Sequence, residues 1–453
     1  MNTNKTKWAA WAAALFFVGT LFPYAYSAVD GGLKKLRTLV NVLEYVKDNY
    51  VEEKQSEDLI TGAIRGVISE LDDFSQYLPP KDYKALKNDT RGDFGGLGIR
   101  LGKKDGFITV MSPMPNTPAF AAGVMPGDRI LFVDDKDVSN MALDEAVELM
   151  RGPVGSKVKV VMSRKEEGSD EYKTLPDFIF KRAKIVPEVV HYRMLPDQIG
   201  YIYLVDFSGH SSEEMKKALK TLSDQGMKGL VLDLRFNPGG LLTGAADIAK
   251  LFMGNHSLIV YTQGRKPEFY QEFRTGATAA YPDLPMVVLI NQGSASASEI
   301  VSGALQDNDR AVIVGQRSFG KASVQQVMPL DGGAGLKLTI AKYYTPKGRL
   351  IQRDYKDKTK EKEGGIFPDV PVEVSAKEEV EVLMQYNNVV YTPGNKEPKA
   401  DFSKKDPVLE KAVEVLKEGT DKIIAQKAQL AQAAQEKPEQ PAEQQAVQKE
   451  PAK

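Results

Sequence analysis

Three serines and a downstream lysine are the residues of this chain best suited to nucleophilic chemistry. Ser294, Ser296 and Ser298 lie among glycine and alanine, directly after the apolar run Met286–Ile290. Such a short, β-branched run predicts a buried strand, and the small residues after it predict a tight turn and the start of a helix. A side chain at that turn lies near free backbone N–H groups and the positive end of a helix dipole. That position favours a nucleophile whose attack creates an oxyanion.

A serine hydroxyl is a weak nucleophile until a neighbouring base takes its proton. A lysine can be that base if burial lowers its pKa from about 10.4 toward roughly 7–8. Lys321 is the candidate, and Gln325 follows four residues later, where a helical turn would let it face the lysine and orient the amine. The residues alone leave two alternatives open: close packing of small residues with a solvated lysine, or a hydrolase that uses His210. None of the three histidines lies in a recognisable catalytic motif: His191, His210 and His256.

The spacing of these residues resembles the carboxyl-terminal processing (tail-specific) serine peptidases. Two segments match the family's double motif: Gly293-Ser-Ala-Ser-Ala-Ser-Glu299 and Phe319-Gly-Lys-Ala-Ser-Val-Gln325. In that family the middle serine is the nucleophile and the lysine lies twenty-five positions later, as Lys321 does from Ser296. The resemblance therefore implies Ser296 as nucleophile, Lys321 as base and Gln325 as the residue that holds the lysine. We expect Glu299 to cap or anchor the helix start.

A second motif supplies candidate oxyanion donors. The segment Asp233-Leu-Arg-Phe-Asn-Pro-Gly-Gly240 resembles the family's Asp-Leu-Arg-x-Asn-x-Gly-Gly. A Gly-Gly turn at the carboxyl end of a strand presents bare N–H groups where open α/β sheets bind ligands. We assign one oxyanion donor to the N–H of Ala297 and the other to that of Gly239 or Gly240. The alternative is a turn without any role in chemistry.

The sequence pattern of the segment Phe94 to Arg164 predicts a separate module, and this module resembles a circularly permuted bacterial PDZ domain. The resemblance rests on its Gly-rich start and on Ala122-Gly-Val-Met-Pro-Gly-Asp128. Free N–H groups of such a loop can capture a terminal carboxylate while a strand edge pairs with an extended peptide. The predicted peptide-binding residues are Gly96, Leu97, Gly98, Ile99 and Arg151. Arg151 would contact the substrate carboxylate and couple it to the alignment of Lys321, unless it is a solvated arginine at a helix end.

Composition limits the function classes. The chain has 453 residues, a formal net charge of −1 and no cysteine. That length suggests about three domains, and the balanced charge gives no reason to expect nucleic acid as a partner. The absence of cysteine excludes disulfides, thiolate chemistry and cysteine-type zinc sites. We expect no metal and no cofactor.

The amino terminus predicts export. Lys5 and Lys7 precede the apolar run Trp8 to Phe22, as in a secretory signal. Ala25-Tyr26-Ser27 fits a cleavage site, although the apolar stretch is also just long enough to serve as an uncleaved membrane anchor. We therefore expect a periplasmic or cell-envelope protein and leave open whether it remains anchored in the inner membrane.

The predicted fold class is α+β multidomain. The resemblance implies an α/β (crotonase/ClpP-like) protease core, with an inserted PDZ domain and flanking helices. Alternating strand and helix patterns from Ile199 onward independently favour an α/β sheet with helices on its faces. The predicted layout is an export signal or anchor (1–30), a helical segment (31–90), the PDZ domain (91–185), the protease core (186–375), a C-terminal helical segment (376–422) and a disordered tail rich in Gln, Ala, Glu, Lys and Pro (423–453).

The function that follows is an exported serine endopeptidase that cleaves proteins near their C-termini after the PDZ domain binds the tail. Its partners would be protein or peptide substrates, a second copy of the chain in a homodimer or higher homo-oligomer, and an adaptor or activator protein as a further candidate. The alternative from another class is a non-catalytic PDZ scaffold or adaptor of the cell envelope.

Overall fold

A computed structural model describes residues 35–166, 168–354, 363–375, 377–379, 381–382, 389–390, 399–400 and 405–435. The predicted export segment and the end of the predicted tail lie outside these residues, so their expected roles remain predictions. Within the described part of the chain, every helix is too short or too polar to cross a membrane.

The described residues form two compact units, and the smaller one comprises residues up to 79 together with 327–338. It contains two helices, 35–49 and Ser56–Ser69, and a strand, Gln76–Leu78, that pairs antiparallel with residues 335–337. Both helices lie in the predicted helical segment 31–90. Their apolar side chains nevertheless remain exposed, including Leu36 at 60%, Tyr45 at 72% and Val67 at 66%.

The larger unit is built on a six-stranded sheet in which five neighbouring strands are parallel. The remaining edge strand is antiparallel to its neighbour. Strands buried on both faces read as continuous apolar runs, which is why Ile199–Leu204 and Met286–Ile290 could be predicted from sequence. In spatial order the strands are Val190–Leu195, Ile199–Leu204, Gly229–Asp233, Met286–Ile290, Val312–Gly315 and Val370–Pro371.

Helices cover both faces of this core sheet because successive residues of a strand point to opposite sides. Leu232 joins the cluster covered by three helices, Ser211–Asp224, Leu242–Ala249 and Ala297–Asp307. Its neighbour Val231 joins the opposite cluster, which Pro407–Glu418 covers. The core is therefore a three-layer α/β arrangement, in agreement with the prediction.

A second group of strands extends the core beside this sheet. Residues 261–264 pair antiparallel with residues 341–344, and residues 258–262 pair antiparallel with residues 271–274. The strands of this group are Leu258–Gly264, Gln271–Arg274, Ser323–Pro329 and Gly335–Tyr344. A separate antiparallel pair is formed by the short strands Val389–Val390 and Lys399–Ala400.

The predicted PDZ module has its own hydrophobic core within the larger unit. Buried Ile108, Val133 and Met162 lie at its centre. The helix Pro80–Arg91 leads into this module, and the helices Pro118–Ala121 and Leu143–Met150 lie within it. Its strands are Phe94–Gly96, Ile99–Lys104, Phe107–Pro113, Arg129–Val133, Lys136–Asp137, Lys157–Lys165, Tyr172–Thr174, Phe178–Lys181 and Ala183–Ile185.

Two expectations are wrong in the described residues. Gln325 lies in the strand Ser323–Pro329 and not on a helical turn, because β-branched Val324 and Val327 favour extended chain there. The predicted disordered tail begins too early, since a helix spans Thr420–Gln435. Its Ala, Gln, Lys and Leu residues are good helix formers, and Ile423 and Ile424 pack against the sheet.

Candidate active site

Ser296 occupies a strained turn between a core strand and a helix. It is the residue that precedes the helix Ala297–Asp307, with φ 55° and ψ −112°. L-amino acids other than glycine rarely adopt this conformation, which costs of order 1–3 kcal/mol and persists where the surroundings enforce it. Its side chain is partly exposed, in contrast to the buried helix that follows. The strand–turn–helix arrangement therefore presents one hydroxyl at the carboxyl end of the core sheet.

The neighbouring serines use their hydroxyls to hold the backbone. Both side chains are fully buried. Ser294 Oγ donates to the carbonyl of Leu234 at 2.8 Å, and Ser298 Oγ donates to the carbonyl of Asn237 at 2.9 Å. These bonds join the Ser296 turn to the segment that contains Gly239 and Gly240. Of the three serines, Ser296 alone is partly exposed.

Glu299 connects the turn of Ser296 to the segment of Lys321. Its side chain is fully buried, and its Oε2 accepts from the backbone N–H of Ser296 at 2.8 Å and from that of Lys321 at 2.9 Å. Its Oε1 accepts from Ser318 Oγ at 2.5 Å and from the Gly320 N–H at 2.7 Å. One carboxylate therefore holds both predicted catalytic residues, which are twenty-five positions apart in sequence.

Burial raises the pKa of Glu299 to about 7, and the four hydrogen bonds act in the opposite direction because each of them stabilises the carboxylate. An ionised carboxylate offers about four acceptor positions. The donors of Ser296, Lys321, Gly320 and Ser318 fill them, so Glu299 anchors the helix start as expected from sequence and the segment of Lys321 as well.

Ser318 is a supporting residue that the sequence analysis missed. Its Oγ accepts from the N–H of Ile366 at 2.6 Å while it donates to Glu299. Its backbone N–H donates to the carbonyl of Ile366 at 3.0 Å. Gly365 has φ 71°, and a Cβ there would lie 2.9 Å from the Ser318 carbonyl. The segment around Gly365 and Ile366 therefore holds the Lys321 segment through Ser318, in addition to Glu299.

The Gly-Gly turn lies directly against Ser296. Gly239 has φ 103°, and a Cβ on it would lie 2.7 Å from the Cβ of Ser296 and 2.9 Å from the nitrogen of Ala297. Only glycine permits this approach. The N–H of Gly239 donates to Asn237 Oδ1 at 2.9 Å. Among the residues that the structure describes, the N–H groups of Ala297 and Gly240 donate to no acceptor.

Tyr343 is a second supporting residue that sequence reasoning missed. It is 2% exposed, and its hydroxyl donates to the carbonyl of Lys321 and interacts with the Ser296 side chain. Burial raises the pKa of Tyr343 well above its ordinary value, so the phenol is neutral at physiological pH. The only sequence signal was its place in the segment Tyr343-Tyr-Thr-Pro-Lys-Gly-Arg349, which resembles the family without indicating a role.

The predicted peptide-binding loop joins two strands of the predicted PDZ module. The N–H groups of Leu97 and Gly98 donate to no acceptor among the described residues. Their carbonyls are fixed, since Leu97 accepts from the Ala119 N–H at 3.1 Å and Gly98 from the Met114 N–H at 2.8 Å. Gly96 ends one strand, and Ile99 begins the next.

Arg151 lies at the end of the helix Leu143–Met150, close to the strand that precedes this loop. Its guanidinium lies 4.5 Å from the ring centre of Phe94, and its Nη1 lies 3.8 Å from Glu148 Oε1. The structure thus places Arg151 beside the start of the Gly-rich segment.

Comparisons with known proteins identify two domain families in this chain. The model of peptidase family S41 matches residues 198–372, and the PDZ domain model matches residues 87–163. A carboxy-terminal-processing protease of Bartonella bacilliformis is 39% identical over 369 residues, which are 80% of this chain and 81% of the relative. The carboxy-terminal processing protease CtpA of Bacillus subtilis is 34% identical over 367 residues, 80% of this chain and 74% of the relative.

The chain belongs to peptidase family S41. It is a member of the carboxyl-terminal processing serine proteases of that family and contains a PDZ domain. Among solved structures, the photosystem II D1 C-terminal processing protease is 28% identical, with a TM-score of 0.43 over 74% of this chain and 92% of that chain.

The position of Glu299 in this S41 peptidase generates a first prediction. Glu299→Gln keeps the size of the side chain but replaces one acceptor oxygen by an N–H donor. We expect kcat to fall about tenfold to hundredfold with little change in KM, because a misplaced buried hydrogen bond costs about 1–3 kcal/mol. Steady-state kinetics on an unfolded protein substrate would measure both constants.

The same variant should change how stability depends on pH. The pKa of Glu299 is raised from 4.5 to about 7 in the folded protein, so its contribution to stability is present below pH 4.5 and is lost as the pH rises to 7. Glu299→Gln lacks this titration. Its free energy of unfolding relative to the wild type should therefore increase by about 3 kcal/mol across that range. The exposed Glu213→Gln is the control, and parallel pH profiles for Glu299→Gln and wild type would contradict the assignment.

Tyr343 generates a second prediction. Tyr343→Phe removes the hydroxyl that contacts the Lys321 carbonyl and Ser296, and we expect kcat to fall about tenfold because a buried carbonyl loses its donor. KM should stay within about twofold, because losing an interaction that acts only in the transition state lowers kcat and kcat/KM equally. Tyr344→Phe is a matched control, since Tyr344 stacks on Tyr261 at 5.1 Å. A Tyr343→Phe variant with the wild-type kcat would show that the hydroxyl has no part in the reaction.

Proposed function

We propose that this S41 peptidase is an exported endopeptidase with a Ser296–Lys321 dyad that cleaves proteins near their C-termini. The observation that carries the proposal is the shared contact at Glu299, whose Oε2 accepts from the N–H groups of both Ser296 and Lys321. Exposure supports Ser296 as nucleophile, because the Ser294 and Ser298 hydroxyls are buried and donate to backbone carbonyls.

In the proposed reaction, Ser296 Oγ attacks the carbonyl carbon of an extended substrate and the neutral amine of Lys321 takes its proton. The C–N bond then breaks, and Lys321 returns the proton to the leaving amine. Water hydrolyses the acyl-enzyme in a second step of the same kind. Gln325 holds Lys321, and Tyr343 fixes the main chain of Lys321 relative to Ser296.

For the oxyanion we propose the N–H groups of Ala297 and Gly240. The Gly239 N–H is engaged by Asn237, whereas that of Gly240 donates to no acceptor among the described residues. Gly240 forms a parallel bridge with Phe207, in which the flanking residues Gly239 and Leu241 bond to Phe207. In such a bridge the central N–H points away from the partner. The sequence left open which of the two glycines donates to the oxyanion, and this proposal selects Gly240.

The PDZ domain would bind the substrate's terminal carboxylate through the free N–H groups of Leu97 and Gly98. Gly96 and Ile99 would flank this loop. Arg151 would contact the same carboxylate and transmit its presence to the alignment of Lys321, as a two-state switch requires.

The remaining parts of the proposal concern location and assembly. We propose that residues 1–30 direct export to the periplasm or cell envelope, as a cleaved signal or an inner-membrane anchor. The exposed apolar faces of the helices 35–49 and Ser56–Ser69 support a homodimer or higher homo-oligomer. We also propose that the protease core is crotonase/ClpP-like in fold. An activating partner protein is a further part of the proposal.

The nucleophile and base give the third prediction. Ser296→Ala should lower cleavage of unfolded β-casein by about 10⁴-fold or more, and Lys321→Arg should be inactive because a guanidinium does not release its proton. Wild-type activity should rise with pH, since neutral Lys321 is the active form. Mass spectrometry of the digests measures cleavage.

Ser294→Ala and Ser298→Ala serve as controls and should keep measurable activity, because their hydroxyls do not reach the substrate. Activity of Ser296→Ala, or an optimum on the acid side, would count against the dyad. Absence of cleavage by the wild type would favour the alternative of a non-catalytic PDZ scaffold.

The PDZ domain gives the fourth prediction. Cleavage of one peptide with a free C-terminus should be about tenfold faster than cleavage of the same peptide with an amidated C-terminus, because the loop N–H groups and Arg151 favour a carboxylate. Arg151→Ala should lose this difference, whereas Lys173→Ala, at an exposed position of the same domain, should retain it. Equal rates on the two peptides in the wild type would remove the domain from substrate selection.

A further inference from the structure

A buried arginine stands at the start of the loop that carries the proposed oxyanion donor. Arg235 is 4% exposed and lies between the core strand Gly229–Asp233 and the loop Phe236–Gly240. Its Nε lies 3.0 Å and 3.1 Å from the two carboxylate oxygens of Asp233, and its Nη2 lies 2.6 Å from Oδ2. The Tyr201 hydroxyl donates to the same carboxylate at 2.7 Å. Asp233 belongs to the same Asp-Leu-Arg motif as Arg235, so the motif contains the partner on this side of the guanidinium.

The other side of the guanidinium is held by a residue far away in sequence. Arg235 Nη1 donates to Asp406 Oδ1 at 2.9 Å, and Nη2 donates to Asp406 Oδ2 at 2.7 Å. Asp406 also begins the helix Pro407–Glu418, where its Oδ1 accepts from the N–H of Leu409 at 3.1 Å. The match to the S41 family model ends at residue 372, well before Asp406. A carboxylate outside the matched region thus completes a contact inside it.

The ion pair between Arg235 and Asp406 is strong because both charged side chains are buried and donate or accept two hydrogen bonds. Burial acts to raise the pKa of Asp406, but the attraction of Arg235 and the hydrogen bonds from Arg235, Leu409 and Val408 outweigh it and hold the pKa below its ordinary value. An arginine stays charged in proteins. Without the Asp406 charge, Arg235 remains paired with Asp233, but its Nη1 loses its carboxylate acceptor and the guanidinium is held by an ion pair on one side only.

Movement of Arg235 would act directly on the oxyanion loop. The next residue, Phe236, has φ 60°, and its N–H donates to Asn291 Oδ1 at 3.0 Å. Asn237 Nδ2 donates to the Leu204 carbonyl at 2.8 Å, while its Oδ1 holds Gly239. These contacts fix the middle of the loop, and the guanidinium fixes its beginning. A shift at Arg235 therefore has to be absorbed between Phe236 and Gly240.

We propose that Asp406 is a positioning residue for catalysis, which fixes Arg235 and thereby holds the loop Phe236–Gly240 in the geometry that stabilises the oxyanion. The inference rests on the proposed serine chemistry and deepens it. It makes the C-terminal helix Pro407–Glu418 a working part of the active site, although that helix contains none of the reacting groups.

The test uses the full chain with Asp406→Asn. Asparagine still caps the helix, because Asn and Asp are equivalent at this position, but one of the two negative charges that hold Arg235 is lost. We expect kcat on β-casein to fall about tenfold to hundredfold with KM within about twofold, as for the loss of an oxyanion donor. Glu410→Gln is the matched control, since Glu410 is an exposed carboxylate in the first turn of the same helix.

A second measurement distinguishes a positioning role of Asp406 in catalysis from a general role in stabilising the fold. A peptide aldehyde, built on the residues preceding a cleavage site found in β-casein, forms a hemiacetal with the nucleophile and so depends on the oxyanion loop. Its affinity should fall about tenfold or more in Asp406→Asn. The uncleaved peptide, measured in the Ser296→Ala background, should bind equally well with and without the Asp406 change.

Wild-type kcat and aldehyde affinity in a folded Asp406→Asn protein would overturn the inference, and so would an equal loss of aldehyde and peptide binding. If Asp406→Asn does not fold, Arg235→Lys replaces it, because lysine keeps the charge but lacks the fork that bridges two carboxylates. The same selective loss is then expected, and its absence would also overturn the inference. A wild-type protein that neither cleaves nor binds the aldehyde would instead refute the proposed dyad.

Discussion

The active-site geometry depends on one buried carboxylate. Glu299 accepts four hydrogen bonds, and two of them come from the backbone of Ser296 and Lys321. Burying a carboxylate is unfavourable unless its acceptor positions are filled, so the four donors are held in place as firmly as the carboxylate itself. Because these donors occupy its acceptor positions, Glu299 fixes the lysine segment through the main chain.

A second constraint joins the nucleophile turn to the oxyanion loop. The carbonyl of Asn237 accepts from the N–H of Ala295 at 3.0 Å and from Ser298 Oγ at 2.9 Å, so the two loops share their hydrogen bonds. Gly239 permits this contact, because any side chain there would overlap Ser296. Both loops follow neighbouring parallel strands, whose carboxyl ends meet at one edge of the sheet. The strained backbone of Ser296 is sustained by this surrounding network.

Support for the site extends well beyond its motifs. Ser318 holds the Lys321 segment from within it, Tyr343 approaches that segment from a neighbouring strand, and Asp406 reaches Arg235 from the start of the C-terminal helix. Each of these side chains is buried, and none has a reacting group in the proposed mechanism. The proposed chemistry therefore uses few residues, while the accuracy of their placement depends on contacts collected from across the larger unit. Substitutions at such positions would lower turnover more than substrate binding.

The sequence by itself determined the family, the buried strands of the core and the candidates Ser296 and Lys321. These features are local, because apolar runs, glycines and motif spacing are properties of contiguous residues. The tertiary structure decided which glycine N–H remains available, since only the fold brings Asn237 Oδ1 to Gly239. It also placed Gln325 on a strand and extended the C-terminal helices to Gln435. The local sequence indicated no role for Tyr343 or Asp406, because a hydroxyl or carboxylate acquires its role only when folding brings a distant partner within hydrogen-bonding distance.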